Sequence, residues 1–370
     1  MTMPQRLPAS LTPLDAARAA LLEGLAPVLP IELPLAEALR CIAAEMPPLT
    51  AQPPHEVAAV DGFALRARDL VGVSSYSPLP LAAAPVWVEA GEAIPSGCDC
   101  VLDCDSVDLS GPMPQVLAEA IPGQGVRRAG GDIAAGRLVV EAGRRVRPRD
   151  LLIARAAGIG KLKVRRPRLR IVNIPGGTVT ADLIAESART AGADVVSLAA
   201  TARDAASIAV ALDVSACDLL LIIGGSGVGR TDATVAALAE RGVVFAHGIA
   251  LQPGRTSAVG RIGTTPVVVL PGAPDQTFAA WWTLALPALD RLTGRRPRKS
   301  LKLPLARKIA SLVGIAEIVL LERKRGAWVT LAAGELSLDA IARAEAWLTV
   351  SGGMEGFAAG TCVDAYMLRE

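Results

Sequence analysis

The sequence has almost no net charge, few cysteines and histidines, and no long apolar run. Its 38 lysine and arginine residues nearly balance 36 acidic residues, for a formal net charge of +2. This balance gives no general attraction to nucleic acid or to an anionic membrane, so any anion site has to be local. Proline, glycine or a charged residue interrupts every apolar stretch before it reaches the length of a membrane span. We therefore expect no nucleic-acid and no membrane partner.

Cysteine usage and the first ten residues both favour a cytoplasmic protein. The segment MTMPQRLPAS lacks the charged-then-apolar pattern of a signal peptide, and six cysteines are few for 370 residues, so we interpret them as free thiols. Period-two alternation would place Cys98, Cys100 and Cys104 on one strand face. Paired CxxC spacing is absent, and only His55 and His247 could assist, so the cluster favours a structural role over a metal site.

The first half of the chain predicts a helical segment followed by short strands. Residues 11–46 have helical apolar stripes in LTPLDAARAALLEGLAP, with Thr12 as N-cap, and in PLAEALRCIAAEM. Between residues 78 and 140 the alternating runs VWVEAG, CVLDC, PQVLAEA and RLVVEAG predict a small barrel or sandwich. The run DLLIARAAGIG predicts a helix that ends at glycine.

The second half alternates strands and helices, which is typical of a doubly wound α/β sheet. Ligand sites are then expected in loops 175–178, 224–232 and 271–275, at the carboxyl ends of the strands. We predict a multidomain α/β protein with an α/β domain, β-rich flanking domains and an N-terminal helical scaffold. The predicted domains are residues 1–46 with 137–167 (scaffold), 47–136 (β-rich), 168–294 (α/β) and 298–370 (small β).

The stretch DLLLIIGGSGVGRTD combines a short buried strand, a glycine-rich loop and the start of a helix. Backbone N–H groups in such a loop, and the positive end of a helix, can approach an anion closely, so the stretch indicates a phosphate-bearing ligand. The spacing matches neither GxGxxG nor a Walker P-loop, which leaves a purely structural turn as the alternative. Asp61 and Asp132 each follow turn-forming patterns and could be either turn residues or ligands.

Six stretches in order resemble the molybdopterin molybdotransferase family, which includes MoeA and the E domain of gephyrin. They are VDGFAL, EAIPSGCDCVL, GGDIAAGRLVVEAG, GGSGVGRTDAT, QPGRTSAVGRIGTTPVVVLPGAP and GGMEGFAAGTCVDAYML. The resemblance covers nearly the whole chain. It implies a homodimer in which the α/β domain holds a pterin, with molybdopterin adenylyltransferase and molybdoenzyme clients as further partners.

The resemblance also implies a reaction and its residues. In the family, molybdate is inserted into adenylylated molybdopterin and AMP is released with the assistance of Mg²⁺. By matching motifs, the catalytic residues are Asp61, Asp132 and Asp232, with Asp61 and Asp232 as metal ligands, because carboxylates suit a hard cation. The matched cofactor-binding residues are Gly176, Gly177, Thr178, Gly224, Gly225, Ser226, Gly227, Gly229, Arg230, Gln252, Pro253, Gly254, Arg255, Pro271, Gly272 and Ala273.

Several family positions are replaced in this chain. The acids of a TGDEL motif are missing at residues 177–178, Arg230 stands in place of an acid, and Gln252 stands in place of a lysine; Ala90 and Ala273 replace a threonine and an asparagine. An anion bound by Arg230 or Arg255 could compensate. Two functions therefore remain, a molybdenum-insertion enzyme and a non-catalytic molybdopterin binder or chaperone. Nothing in the sequence favours a third, a scaffold protein.

Overall fold

The computed structural model describes residues 5–368, which form two compact units. The larger unit comprises the described residues of Met1–Ala44, Ala142–Val146 and Leu162–Glu370, and the smaller unit comprises Glu45–Glu141 and Arg147–Lys161. The predicted multidomain α/β class is confirmed by the sheets and helices of the two units. The division into four domains is finer than this and stays a prediction. No described helix is long and apolar enough to cross a membrane.

The N-terminal part of the larger unit contains one full helix rather than two. Its elements are β1 (Thr12–Pro13), α1 (Leu14–Leu22), β2 (Ile31–Pro34), α2 (Leu35–Ala38) and β3 (Ile42–Ala43). The second predicted helix is a single turn, because Arg40 adopts a φ of 73° and the chain then pairs with a later strand. Thr12 is not the N-cap of α1. Its N–H donates to the Gly248 carbonyl, and Pro13 takes the cap position without a side-chain hydrogen bond.

The smaller unit is β-rich, as predicted, and is built from small antiparallel sheets. Its elements are β4 (Val57–Ala58), β5 (Gly62–Leu65), β6 (Leu79–Pro80), β7 (Val86–Val88), β8 (Cys100–Leu102), β9 (Val107–Asp108), β10 (Gln115–Val116), β11 (Val126–Arg127) and α3 (Pro148–Ala156). The strand predicted for RLVVEAG was wrong. Val139 and Val140 are buried, but the backbone there forms bends. Just before them, the Gly136 amide donates to the Leu49 carbonyl and the Leu49 amide donates to the Arg137 carbonyl.

The three clustered cysteines do not share a strand face. Only Cys100 lies in a strand, Cys98 precedes it, and Cys104 begins a short 3₁₀ turn in which the Ser106 amide donates to the Asp103 side chain. Cys100 is buried and Cys104 is exposed. Burial raises the pKa of the Cys100 thiol to about 11. This thiol therefore stays protonated at neutral pH, which disfavours metal binding or nucleophilic chemistry there.

A six-stranded, doubly wound sheet follows, as the alternation of strands and helices predicted. Its order is β14-β13-β15-β19-β18-β16, with the first four strands parallel. The elements of this part are β12 (Lys161–Arg165), β13 (Arg168–Asn173), α4 (Val179–Thr190), β14 (Asp194–Ala199), α5 (Ala205–Ala211), β15 (Leu219–Ile223), α6 (Thr234–Arg241), β16 (Val243–His247), β17 (Ile249–Gln252), β18 (Ala258–Ile262), β19 (Thr265–Leu270), α7 (Pro274–Ala280) and α8 (Leu286–Thr293).

Strand β15 is buried on both faces because it lies between β13 and β19 and is covered by helices on each side. Leu219, Leu221 and Ile223 pack into one hydrophobic cluster, and Leu220 and Ile222 pack into the other. Alternating side chains thus join two cores, which explains the uninterrupted apolar run. This strand anchors the glycine loop that follows it.

Two details of the sheet differ from the sequence prediction. The run VVFAHGI is not one strand, because Gly248, with a φ of 81°, ends β16 and starts β17 in a different sheet. Strand β18 was missed, since AVGRI contains a glycine that is unfavourable for strands. A Cβ at Gly260 would lie 2.3 Å from the Val243 carbonyl oxygen, so the close approach of β16 requires glycine there.

The C-terminal part of the larger unit is the predicted small β region. Its elements are β20 (Ser300–Pro304), β21 (Ile309–Ala310), β22 (Ala316–Lys324), β23 (Ala327–Ala333), α9 (Leu338–Arg343), β24 (Ala346–Val350), β25 (Gly356–Phe357) and β26 (Cys362–Met367). β17 pairs in parallel with β22, with Leu251 opposite Ala316. The C-terminal sheet is therefore continuous with the part of the chain that carries the α/β sheet.

The burial of β15 predicts a large stability cost for Leu221→Ala. The side chain is fully buried, so its truncation should lower the free energy of unfolding by about 2–5 kcal/mol. The control is Val210→Ala, whose side chain is 84% exposed on α5 and whose effect should stay within about 0.5 kcal/mol. Urea denaturation followed by circular dichroism measures both, and equal midpoints for the two variants would contradict the packing described.

Candidate functional site

Three loops at the carboxyl ends of β13, β15 and β19 surround a cavity of about 580 Å³, which we call the switch-point cavity. β13 and β15 are neighbours in the sheet, but β14 lies beyond β13 and β19 lies beyond β15. The chain thus leaves the two central strands towards opposite edges of the sheet. Open α/β sheets bind their ligands in the crevice that forms between two such strands, outside their carboxyl ends. Residues of all three loops predicted from the sequence line this cavity.

The switch-point cavity brings together many of the predicted binding residues. The predicted residues in its lining are Gly176, Gly177, Gly224, Gly225, Ser226, Gly227, Asp232, Pro271, Gly272 and Ala273. Other predicted residues are not among the described residues of the lining, namely Thr178, Gly229, Arg230, Gln252, Pro253, Gly254 and Arg255. Arg230 and Arg255 are exposed, while Thr256 contributes to the lining. Ligand binding by each of these residues stays a prediction.

The start of the glycine loop is fixed by Thr234. The Thr234 hydroxyl, which is fully buried, donates to the Gly224 carbonyl at 2.9 Å, and the Thr234 amide donates to the Gly225 carbonyl at 3.1 Å. Gly225 has a φ of 67°, and a Cβ there would lie 2.4 Å from the Thr234 hydroxyl oxygen. Glycine is required at residue 225 for both reasons.

Three successive carbonyl groups of the loop are held by side chains. Gln5 Nε2 donates to the carbonyl oxygens of Gly225 and Gly227, each at 3.0 Å. His247 Nε2 lies 3.0 Å from the Ser226 carbonyl oxygen, and since a carbonyl oxygen only accepts, Nε2 is the donor in this contact. In a trans peptide the C=O and N–H groups point in opposite directions. The amides that follow these carbonyls therefore point away from Gln5 and His247.

Ser226 gives the cavity a buried hydroxyl. Ser226 is among the residues that line the cavity, the residue is 1% exposed, and its Oγ has no hydrogen-bond partner within the described residues 5–368. A buried hydroxyl without a partner is unusual in a folded protein, because leaving it unpaired costs about 1–3 kcal/mol. A polar group of a ligand, or a water, is needed to satisfy it.

Asp232 and Arg203 form an ion pair at the wall of the cavity. Arg203 Nη2 lies 3.0 Å from Asp232 Oδ1, and the Gly229 amide donates to Asp232 Oδ2 at 3.0 Å. The Arg203 side chain also donates to the Pro175 carbonyl oxygen and, through Nε, to the Thr231 hydroxyl. Arg203 thus ties the loop after β13 to the loop after β15. Its sequence position, between β14 and α5, carried no signal that pointed to the site.

Helix α6 starts at Thr234, and Ala233 at its N-cap provides no side-chain hydrogen bond. Gln5 Oε1 instead accepts from the Val235 amide at 2.8 Å and from the Ala236 amide at 3.3 Å. The sequence pattern suggested that this helix end would face an anion. Two of its first amides are already paired with Gln5, so the loop amides are the donors that remain for a ligand.

The other two loops contribute buried polar side chains that sequence reasoning missed. Asn173 Nδ2 donates to the Gly177 carbonyl oxygen at 2.9 Å, and the Thr180 hydroxyl donates to the Gly272 carbonyl oxygen at 3.0 Å. Both side chains line the cavity. Asn173 could have been suspected as a polar residue at the end of an apolar strand, whereas Thr180 lies in a helix without any such signal.

Asp61 and Asp132 lie in the smaller unit and have local partners there. Asp61 Oδ1 accepts from the Ala90 amide at 2.7 Å, which links the VDGFAL stretch to the residue that replaces a threonine of the family. Asp132 Oδ2 lies 3.1 Å from Arg127 Nη1, and both side chains are about half exposed. An exposed pair of this kind contributes little to stability, about 0–1 kcal/mol. Their catalytic roles stay predictions.

The lining of the switch-point cavity does not fit a Mg²⁺ site by itself. Among the described residues that line it, Asp232 is the only carboxylate, and both of its oxygens already accept hydrogen bonds. Within residues 5–368, no group of three or more His, Cys, Asp or Glu side chains is placed to hold a metal ion. Mg²⁺ in proteins is usually held by one or two carboxylates together with waters and substrate phosphates, but the one carboxylate here is already engaged by Arg203 and by the Gly229 amide.

Comparisons with known proteins agree with this architecture. Residues 12–158 match the family model of the MoeA N-terminal region (domains I and II), and residues 176–291 match that of a probable molybdopterin binding domain. Molybdopterin molybdenumtransferase 2 of Mycobacterium tuberculosis is 30% identical over 319 residues, covering 73% of this chain and 78% of that protein. Molybdopterin molybdenumtransferase of Haemophilus influenzae is 27% identical over 363 residues, covering 89% of each chain.

A solved structure gives the same fold. The molybdopterin biosynthesis MoeA protein from Pyrococcus horikosii superposes with a TM-score of 0.74 at 24% identity, covering 98% of this chain and 100% of that chain. The matched family models and the relatives together show that the chain belongs to the MoeA family of molybdopterin molybdenumtransferases.

The geometry of the glycine loop predicts the effect of Gly227→Ala. A Cβ at residue 227 would lie 2.6 Å from Asp232 Oδ2, so the carboxylate has to move and its bond from the Gly229 amide weakens. Hydrogen exchange at the Gly229 amide should accelerate by about tenfold, while the unfolding temperature changes by only a few degrees. The matched control is Gly353→Ala, where a Cβ meets no atom within 4 Å. Unchanged exchange at Gly229 in Gly227→Ala would contradict the close packing of loop and carboxylate.

Proposed function

We propose that this protein acts in molybdenum cofactor biosynthesis by inserting molybdate into adenylylated molybdopterin, with release of AMP. One observation carries the proposal. Gln5 and His247 bind the carbonyl groups of residues 225–227, so the amides that follow them point away from these two side chains and can donate to a phosphate of the substrate. Membership in the MoeA family and the match of residues 176–291 to a molybdopterin binding domain support the choice of a pterin as the ligand.

Each part of the cavity has a task in this proposal. The amides of Ser226 and Gly227 bind the phosphate oxygens of the substrate, together with the Ser226 hydroxyl, which has no partner among residues 5–368. Asp232 holds Arg203 in place, and the Arg203 guanidinium, which lines the cavity, faces the anionic groups. Cleavage of the pyrophosphate bond between AMP and molybdopterin consumes one water, and negative charge increases on the departing AMP phosphate. Donors already oriented towards it lower the barrier because they need not reorganise.

The resemblance also implies Mg²⁺, and we assign it no step. The lining of the cavity offers one carboxylate, and Arg203 already neutralises it. Asp61 and Asp132 are proposed to take part in the reaction on the strength of their matched motifs alone. We further propose a cytoplasmic homodimer that receives its substrate from a molybdopterin adenylyltransferase and serves molybdoenzyme clients.

A specific observation also favours the second candidate, a molybdopterin binder without turnover. Thr178, which stands where the family has an acid, is exposed and is not among the described residues of the lining. Gln252, which stands where the family has a lysine, lies opposite Glu317 in the pairing of β17 with β22, and both side chains approach Gly334. A lysine restored at residue 252 would therefore meet Glu317 before it could serve the cavity.

The proposal predicts that Asp232→Asn abolishes AMP release without unfolding the protein. The amide keeps the shape of the side chain and removes the charge that orients Arg203, so the rate should fall by about a hundredfold or more. The assay combines purified protein, adenylylated molybdopterin, Mg²⁺ and molybdate. The matched control is Asp339→Asn, which removes an exposed carboxylate that is also paired with an arginine, Arg343.

The outcomes of this assay separate the two candidates. AMP release by the wild-type protein and by Asp339→Asn, with loss in Asp232→Asn, supports the enzyme. Binding of the pterin without AMP release above background by the wild-type protein supports the binder. Neither binding nor release would overturn both.

A further inference from the structure

We infer that Gln5 is a positioning residue for the glycine loop and orders it for ligand binding from the side opposite the cavity. The inference rests on the proposed function in naming molybdopterin as the ligand. Its structural basis is independent of that function, because it concerns the hydrogen bonds of a single side chain.

The Gln5 amide group connects the glycine loop to the first turn of α6. Its Nε2 donates to two carbonyl oxygens of the loop, and its Oε1 accepts from the second and third amides of α6. An N-cap side chain normally makes the latter contact, and Ala233 cannot. One primary amide supplies both donors and an acceptor, a combination that neither a carboxylate nor a hydroxyl provides in this geometry.

The segment that carries Gln5 is held by contacts with Gly248 and with β17. The Thr12 amide donates to the Gly248 carbonyl at 2.8 Å, and β1 pairs in parallel with β17. Closer to Gln5, Pro8 packs over Gly248, where a Cβ would lie 2.8 Å from Pro8 Cδ. Gly248 directly follows His247, which binds the Ser226 carbonyl. The turn between β16 and β17 thus anchors both the N-terminal segment and the loop.

The contacts indicate that Gln5 supports the loop and does not plug the cavity. Ser226 and Gly227 are among the described residues that line the cavity, and Gln5 is not. Gln5 binds the carbonyl side of the peptide groups, so the amides face the other way. A ligand that binds these amides therefore finds the loop already ordered, and ordering costs at binding are reduced.

Two substitutions separate this role from simple helix capping. Gln5→Ala removes all four hydrogen bonds. Gln5→Glu keeps an acceptor for the Val235 and Ala236 amides but places carboxylate oxygens against the carbonyl oxygens of Gly225 and Gly227. The control is Arg6→Ala, which changes the exposed neighbouring side chain.

The experiment measures equilibrium binding of molybdopterin and amide hydrogen exchange for the full chain and the three variants. We expect Gln5→Ala to bind molybdopterin about tenfold more weakly and to exchange faster at Val235, Ala236 and Gly229. Gln5→Glu should regain slow exchange at Val235 and Ala236 and still bind weakly. Arg6→Ala should match the wild-type protein in both measurements.

Several results would overturn the inference. They are wild-type affinity in Gln5→Ala, tighter binding in Gln5→Ala, wild-type affinity in Gln5→Glu, and unchanged exchange at Val235 and Ala236 in Gln5→Ala. If the wild-type protein binds no molybdopterin, the proposed function fails. Exchange at Gly229 then decides the inference on its own, and equal rates in wild type and Gln5→Ala would overturn it.

Discussion

The site depends on the hydrogen bonds that hold the backbone after β15 in one conformation. A loop rich in glycine gains little from side-chain packing and loses much conformational entropy on ordering. In this protein the carbonyl oxygens of residues 224–227 are satisfied by Thr234, Gln5 and His247. Each of these side chains approaches from a different element, and together they leave amides rather than carbonyls for a ligand. The loop is therefore suited to an anion and not to a cation.

The second constraint is the ion pair between Arg203 and Asp232. Arg203 connects the loops after β13 and β15, and Asp232 accepts from both Arg203 and the Gly229 amide. The side chain of Asp232 is 16% exposed, so the pair is screened by solvent less than a surface pair would be. Asp232 is the only carboxylate among the described residues that line the cavity. Its charge has a partner within the same cavity.

Local patterns in the sequence predicted most of the fold. The apolar run of β15, the alternation of strands with helices and the glycine after α3 each depend on neighbouring residues, and each was confirmed. Errors arose where distant pairing overrides local preference. β3 replaces a predicted helix because it pairs with β12, and Gly248 divides a run that alone reads as one strand.

The site was predicted less completely for the same physical reason. The glycine loop was predicted from its own composition, whereas Ser226 and Asp232 were predicted as site residues from the resemblance of this stretch to a family motif. Gln5 was missed because the residues it binds lie 220 and 222 positions away, and a glutamine in a proline-containing segment carries no local signal. Arg203 was missed for the same reason. It follows β14, and it lies 29 residues before Asp232 in the sequence.

The central claim is that the loop amides of residues 226–228 bind the phosphate-bearing pterin. Hydrogen exchange of the wild-type protein, measured with and without molybdopterin, tests it most directly. With molybdopterin bound, we expect slower exchange at the amides of residues 226–228. Exchange at Val235 and Ala236 should not change, because their amides already donate to Gln5. Protection at Val235 and Ala236 without any at residues 226–228 would contradict it. So would protection confined to the larger cavity of about 1010 Å³ lined by Trp282, Trp347 and Tyr366.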